Sequence, residues 1–161
     1  MDNVEGNMIE LNPIGFIKNS RKNIRDDHWE EIESEIVLTK QFSPEALAGI
    51  EEFSHAEILF FFHQVPPEKI QIGSRHPRNN SGWPRVGIFT QRGKNRPNRI
   101  GSTIVRVIDC KGTHLRVKGL DAIDGTPVLD IKPIMAEFLP KEKIVQPTWS
   151  RELMINYWDT A

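Results

Sequence analysis

Short apolar segments separated by turn residues recur along the chain, and they predict strands more often than helices. Lys111-Gly112 separates two such segments and predicts the clearest hairpin of the chain. Six or more short strands with few helices predict a mainly β fold, either a barrel or a sandwich. The segments that we assign as strands are residues 9–11, 14–17, 36–38, 58–65, 86–89, 101–108, 113–120 and 128–131.

Helical signals occur at two places. Ser43-Pro44-Glu45 combines a capping serine, a proline for the first turn and an acid, so it predicts a helix over residues 44–53. Leu47 and Ile50 would lie on one side of this helix. Residues 149–158 also show helical spacing, whereas residues 18–29 and 66–84 are typical of loops. No strand, glycine-rich turn and helix follow one another, which excludes a doubly wound nucleotide-binding fold.

Charge is distributed unevenly along a chain of 161 residues whose formal net charge is only −1. The stretch from Arg75 to Arg106 carries seven arginines, one lysine and no carboxylate. Such segregation favours an anionic partner, and Trp83 and Phe89 are candidate stacking faces within the stretch. The alternative is a solvated arginine-rich loop beside a core strand, neutralised by carboxylates elsewhere in the fold.

The remaining composition excludes several classes of protein. Cys110 is the single cysteine, so an internal disulfide is impossible, and we expect this thiol to be a buried or partly buried bystander and not a nucleophile. The five histidines show no metal-ligand spacing with one another or with Cys110, so we expect no metal. No apolar run reaches the length of a membrane span, and the acidic N-terminus lacks an apolar signal core. These features predict one domain over residues 1–161 in the cytoplasm, with no membrane partner.

Three blocks of sequence carry a resemblance to a known family. Residues 87–102 read GIFTQRGKNRPNRIGS, residues 52–64 read EFSHAEILFFFHQ, and residues 124–133 read DGTPVLDIKP. In this order they resemble the TrmO/YaeB-like (TsaA-domain) family of S-adenosylmethionine-dependent tRNA methyltransferases. The resemblance covers about residues 9–134, and residues 135–161 would form a C-terminal tail or helix.

The resemblance implies a β-barrel, a homodimer, S-adenosylmethionine as cofactor and tRNA as partner. It implies N6-methylation of a threonylcarbamoyl-modified adenosine. A small-molecule methyltransferase and a non-catalytic RNA-binding β-barrel are the alternatives. The implied cofactor-binding residues are His63, Gln64, Arg92, Ser102, Leu120, Asp121, Ala122 and Ile123. The arginines then left for RNA phosphates, with one asparagine of the motif, are Arg75, Arg78, Arg85, Arg96, Asn98 and Arg99.

Residue chemistry suits these roles. Arg92 is suited to a methionine carboxylate, and the segment 120–123 is suited to supply main-chain groups to an adenine. Asp124 and Asp130 are possible acceptors for a ribose diol, but a structural role is favoured for both. No residue stands out as the acceptor of the proton that leaves the methylated nitrogen. The longer bacterial members continue into a C-terminal domain ending in D-P-R-x-x-Y, which this sequence lacks, so another RNA or a small molecule is also a possible substrate.

Overall fold

Six antiparallel strands form a closed barrel in the computed structural model, which describes residue 6 and residues 8–160. They are β1 (Gly15–Lys18), β2 (Glu33–Leu38), β3 (His55–Phe61), β6 (Ile100–Lys111), β7 (His114–Lys118) and β8 (Pro127–Pro133). Around the barrel the order is β1-β2-β7-β6-β3-β8, and β1 pairs with β8 to close it. Two further strands, β4 (Ser74–Arg75) and β5 (Val86–Gly87), form a separate two-stranded sheet. The prediction of a mainly β barrel is confirmed.

The core follows from alternation along the strands. Every second side chain of a half-buried strand points to the same face. Ile36, Phe60 and Leu115 therefore fill the barrel interior together with neighbours on the other strands, and all three are almost completely buried. Gly101 is required in β6 because a Cβ atom there would lie 2.4 Å from Cε2 of Phe60. In the part of the chain that the structure describes, no helix is long and apolar enough to cross a membrane.

One end of the barrel, which we call the hairpin end, carries the β6–β7 turn and is covered by apolar side chains. Leu47 and Ile50 reach the core from two 3-10 turns, Pro44–Leu47 and Ile50–Glu52. The helix predicted over residues 44–53 is therefore wrong. Gly49, at a φ of 86°, is left-handed and separates the two turns. An apolar groove of about 560 Å³ lies beside these turns, lined mainly by Leu38, Phe42, Leu47, Ile50, Phe53 and Pro133.

Several strand boundaries differ from the sequence-based assignment. Residues 9–11 form no strand, and β3 begins earlier and ends earlier than residues 58–65, which leaves His63 and Gln64 in the following turn. Lys111 pairs with His114, so the hairpin turn lies one residue later than predicted. Of residues 86–89 only Val86–Gly87 is strand; Ile88 is buried, but Phe89 is 78% exposed and not part of the core.

The C-terminal segment folds back onto the opposite end, which we call the loop end. Helix α1 (Thr148–Leu153) is shorter than the predicted residues 149–158, and turns follow it. The amide of Trp29 donates to the carbonyl of Tyr157 at 2.9 Å, and that of His28 donates to Asn156 at 3.1 Å. A Cβ atom at Gly119, directly after β7, would lie 3.3 Å from Cζ3 of Trp158, so the segment packs against both the loop of residues 18–29 and the end of β7.

Candidate functional site

The loop end gathers three of the predicted cofactor residues. Arg92 donates from Nη2 to the carbonyl of Ser102 at 2.8 Å, and its charge acts on the carboxyl of Asp121. A Cβ atom at Gly125 would lie 3.9 Å from Nε2 of His63, so this ring borders the turn that follows the 120–123 segment. Loops after β3, β5 and β7 therefore bring His63, Arg92 and Asp121 to the same end of the barrel.

The segment 120–123 is held tightly while some of its main-chain groups stay open. Leu120 and Ala122 are buried in the core, and the amide of Ala122 donates to the carbonyl of Leu120 at 2.9 Å, which makes a tight turn at Asp121. Asn19 donates from Nδ2 to the carbonyl of Ala122 at 2.8 Å, and Thr126 Oγ1 donates to that of Ile123 at 2.7 Å. Among the described residues, the amides of Asp121 and Ile123 have no acceptor. They are suited to a polar ligand edge.

Asp121 carries the most perturbed carboxyl of this end. Tyr157 donates its phenolic O–H to Oδ2 of Asp121 at 2.7 Å. Burial raises the pKa of Asp121 to about 7, with a further increase from Asp26 and opposing effects of the Tyr157 hydrogen bond, Arg92 and Arg78. Burial and the charge of Asp121 in turn raise the pKa of Tyr157. A carboxyl that titrates near neutrality inside a loop cluster is typical of functional sites.

Other predicted cofactor residues have partners of their own. Ser102 donates its hydroxyl to Oε1 of Glu57 at 2.7 Å on the outer face of β3 and β6, so only its carbonyl meets Arg92. Gln64 is exposed in the turn after β3. Of the two possible acceptors, Asp124 accepts from the amide of Asn19 at 3.0 Å and pairs with Lys22 at 2.7 Å, and these bonds lower its pKa. Asp130 pairs with Lys132 at 2.6 Å. Both arrangements are structural.

The residues predicted to bind RNA fall into two groups. The first group stabilises loops. Arg78 forms two hydrogen bonds with Asp27, at 2.9 and 3.1 Å, and Arg96 and Arg99 donate to the carbonyls of Gln91 and Val65. The second group comprises Arg75 in β4, Arg85 just before β5, and Asn98. Arg85 and Asn98 are exposed, whereas Arg75 is half-buried, donates to Asn79 and has a buried Nε without a partner among the described residues.

The basic stretch from Arg75 to Arg106 pairs with carboxylates from another part of the chain. Asp26 and Asp27 lie on a distant loop and partly neutralise Arg78, as the alternative to an RNA surface supposed. That interpretation does not extend to Arg85, whose only hydrogen bond within the described residues goes to the hydroxyl of Ser74 at 3.0 Å. Of the two candidate stacking residues, Phe89 is exposed to solvent, whereas Trp83 is engaged by a hydrogen bond from its indole N–H to Glu152 at 2.7 Å.

Two residues of this end carried no signal in the sequence. Tyr157 lies in the C-terminal segment, 36 positions away from its partner Asp121. Arg21 is buried and stacks its guanidinium over the ring of Trp29 at 4.4 Å, within a loop whose composition suggested exposure. No spacing or motif links either residue to the site; only the fold brings them there.

The described residues contain no group of three side chains that could hold a metal ion. Cys110 is half-buried, and burial followed by the charges of Glu51 and Asp109 raises its pKa, which disfavours the thiolate form. The chemistry of the loop end therefore rests on arginine, histidine, aspartate and tyrosine.

Comparison with known proteins assigns this architecture. The profile of the tRNA-methyltransferase O N-terminal domain matches residues 16–138. A probable S-adenosyl-L-methionine-binding protein of Pyrococcus abyssi is 35% identical over 143 residues, which are 85% of this chain and 74% of that protein. The human tRNA (adenine(37)-N6)-methyltransferase is 39% identical over 111 residues, which are 69% of this chain but 25% of that protein.

A solved structure shows the same fold. TrmO from Pseudomonas aeruginosa superposes with a TM-score of 0.73 at 28% sequence identity, and the match covers 90% of this chain and 63% of that one. The chain thus spans about a quarter of the human relative and somewhat under two thirds of the bacterial structure. Apart from Gly15, all six barrel strands lie within the residues that the profile matches. The chain belongs to the tRNA-methyltransferase O N-terminal domain family.

Proposed function

We propose that the chain is an S-adenosylmethionine-dependent methyltransferase that acts on N6 of an adenosine in tRNA. The observation that carries the proposal is the convergence of Arg92, the open amides of Asp121 and Ile123, and the Asp121 carboxyl at one end of the barrel. Relatives named as tRNA (adenine(37)-N6)-methyltransferases and as S-adenosyl-L-methionine-binding proteins support the same assignment. A threonylcarbamoyl group on the acceptor adenosine belongs to the proposal as well.

The side chains of the loop end fit this cofactor. Arg92 uses one of its N–H groups on Ser102, which leaves the rest of its guanidinium for a carboxylate. The amides of Asp121 and Ile123 suit an adenine edge. The bound cofactor would supply a methyl group on a positively charged sulfur. The protein would orient the two reactants, and alignment alone is worth up to roughly 7–11 kcal/mol in favourable cases.

The surface beside this end suits an RNA. Arg75 ends β4, Arg85 immediately precedes β5, and exposed Phe89 lies in the turn that follows β5. Arginines bind phosphates, and an exposed aromatic ring can stack on a base without recognising which base it is. The arrangement supports a single-stranded or looped RNA substrate, since an adenine N6 group inside a duplex cannot reach a pocket without leaving the stack.

A homodimer in the cytoplasm completes the proposal. Residues 135–147 leave the barrel after β8 and expose a series of large apolar side chains, of which Phe138 is 84% and Val145 88% exposed. Exposed apolar surface of this kind is typical of an interface, and a second copy of the chain would cover it. Some relatives are named as tRNA-modifying enzymes, and this favours the cytoplasm as the location of the chain.

Transfer of a tritiated methyl group from S-adenosylmethionine to tRNA tests the proposal. Purified protein is incubated with bulk tRNA, and the nucleosides are separated after digestion. Radioactivity in an N6-methylated adenosine derivative is expected. Cofactor binding without salt-dependent RNA affinity would favour the small-molecule methyltransferase, and RNA affinity indifferent to the cofactor would favour the non-catalytic barrel.

A further inference from the structure

One carboxyl of the loop end is arranged for more than binding. The tight turn at Asp121 buries Leu120 and Ala122 on one side and directs the Asp121 side chain away from the core. Tyr157 occupies Oδ2 of this carboxyl, whereas Oδ1 makes no hydrogen bond within the described residues. Asp121 therefore has one oxygen held in place and one oxygen available, at the end of the barrel where Arg92 lies.

The proposed reaction creates a proton that must leave. The N6 lone pair forms a bond to the methyl carbon, the bond from that carbon to the sulfonium sulfur breaks, and its electron pair stays on sulfur as a thioether. The nitrogen is then left with one bond too many and loses its hydrogen as a proton. A carboxylate within hydrogen-bond reach of N6 is a suitable acceptor.

We propose that Oδ1 of Asp121 accepts this proton and that Tyr157 is the positioning residue that holds Asp121 in place. The inference rests on the proposed function and deepens it. Tyr157 lies outside residues 16–138 that the family profile matches, so this hydrogen bond joins the C-terminal segment to the matched domain.

The charges around Asp121 suit an acceptor that works near neutral pH. Burial and Asp26 raise its pKa, while Tyr157, Arg92 and Arg78 lower it, and Asp27 lies with Asp26 against Arg78. A base whose pKa is close to the working pH combines a large ionised fraction with enough basicity. His63 is another titratable side chain at this end, and among the described residues no hydrogen bond joins it to the Asp121–Tyr157 pair.

The test compares Asp121→Asn, Tyr157→Phe and Glu152→Gln with the wild-type protein. Single-turnover methyl transfer to tRNA is measured from pH 5.5 to 9, and cofactor affinity is measured by calorimetry. Asp121→Asn keeps the main-chain amides, so we expect its cofactor affinity to change by less than about threefold. The methyl-transfer rate of Asp121→Asn should fall about 10²- to 10⁴-fold, which is the usual contribution of a positioned acid or base. The increase of the transfer rate with pH that the wild type shows should be absent from this variant.

Tyr157→Phe separates positioning from folding. Loss of the Tyr157 hydrogen bond destabilises the ionised form of Asp121, so the rising flank of the rate profile should move to higher pH. The rate at high pH should stay within about tenfold of the wild-type rate. Glu152→Gln removes a carboxylate of the same C-terminal segment that contacts Trp83, and it should leave both the flank and the rate unchanged.

A readout without turnover follows the carboxyl itself. The infrared difference between wild-type protein and Asp121→Asn should contain the C=O band of a protonated carboxyl that disappears with a midpoint near 7. In Tyr157→Phe this midpoint should be higher. An Asp121→Asn protein that transfers methyl groups at the wild-type rate would overturn the inference and leave the proposed function standing. A wild-type protein that neither binds the cofactor nor transfers a methyl group would overturn both.

Discussion

The two ends of the barrel are built from the same six strands but are closed by opposite means. At the hairpin end, Leu47 and Ile50 insert apolar side chains into the core from two short turns. At the loop end, Asn19 and Thr126 hold the chain by hydrogen bonds to the carbonyls of Ala122 and Ile123. The first closure stabilises through apolar area and the second through specific polar contacts.

The difference shows where the chain accepts a cost in stability. The apolar side chains that cover the hairpin end offer no groups for chemistry. At the loop end, the amides of Asp121 and Ile123 and the carboxyl of Asp121 lack the partners that would fully offset their removal from water. Asp121 titrates near neutrality because it is half-buried beside charged groups of both signs. We infer that the hairpin end contributes stability and that the loop end contributes function, and this division is open to direct test.

Leu47→Ala should have the largest effect on stability and none on the site. Removal of a buried leucine side chain costs about 2–5 kcal/mol when the cavity does not collapse. Urea unfolding followed by circular dichroism measures the change in the free energy of unfolding. Cofactor affinity of the folded variant should equal that of the wild type, and a parallel loss of affinity would show that the two ends are not independent.

Asp121→Asn should make the protein more stable at neutral and alkaline pH. The pKa of Asp121 is higher in the folded state, about 7, than in the unfolded chain, about 4, so the folded state binds more protons between these values. Stability therefore falls as pH rises from about 4 to 7. Each unit of pKa difference corresponds to about 1.4 kcal/mol, so the loss is on the order of a few kcal/mol.

The pH dependence of unfolding separates this effect from ordinary packing. Asp121→Asn should lack the fall that the wild type shows across this interval, and it should differ least from the wild type below pH 4. Unfolding midpoints in urea from pH 4 to 8 provide the measurement. A variant that is less stable than the wild type at pH 8 would mean that the carboxylate supports the fold instead of straining it.

Arg85→Ala should have the smallest effect, confined to RNA. Loss of one phosphate contact lowers the salt slope of log affinity by about 0.7–0.9 and weakens all RNA sequences alike. Lys111→Ala removes the same charge from the hairpin end and is the matched control. Fluorescence anisotropy with a labelled anticodon stem-loop over a range of salt concentrations measures the slope. Equal effects of the two variants would indicate general charge attraction without a defined surface.

Sequence patterns were enough for the barrel but not for its details. Alternation in β2 and β6 and the turn at Gly112 predict pairing because side-chain direction follows from strand geometry. The helix over residues 44–53 was wrong because the capping signals of Ser43-Pro44-Glu45 are equally compatible with a 3-10 turn, and Gly49 ends it by adopting a positive φ. Local signals do not decide between two kinds of short helical turn.

The site was predictable only where motifs existed. Arg92 and Asp121 lie in or next to blocks that resemble the family, and the structure brings them to one end of the barrel. Tyr157 and Asp27 reach that end through contacts between residues 36 and 51 positions apart. The hydrophobic pattern of the sequence does not predict such contacts. They depend on how the C-terminal segment and the loop of residues 18–29 pack against the folded barrel.

Calorimetric titration of S-adenosylmethionine tests the central claim most directly. The wild type, Arg92→Ala and Arg106→Ala are compared, because Arg106 is an exposed arginine on the same strand as Ser102 but four residues closer to the hairpin end. Loss of a charge-assisted contact worth about 1.5–3 kcal/mol weakens binding roughly 10- to 150-fold. We expect only Arg92→Ala to show this loss. Wild-type protein without saturable binding, or equal losses in both variants, would contradict a cofactor site at the loop end.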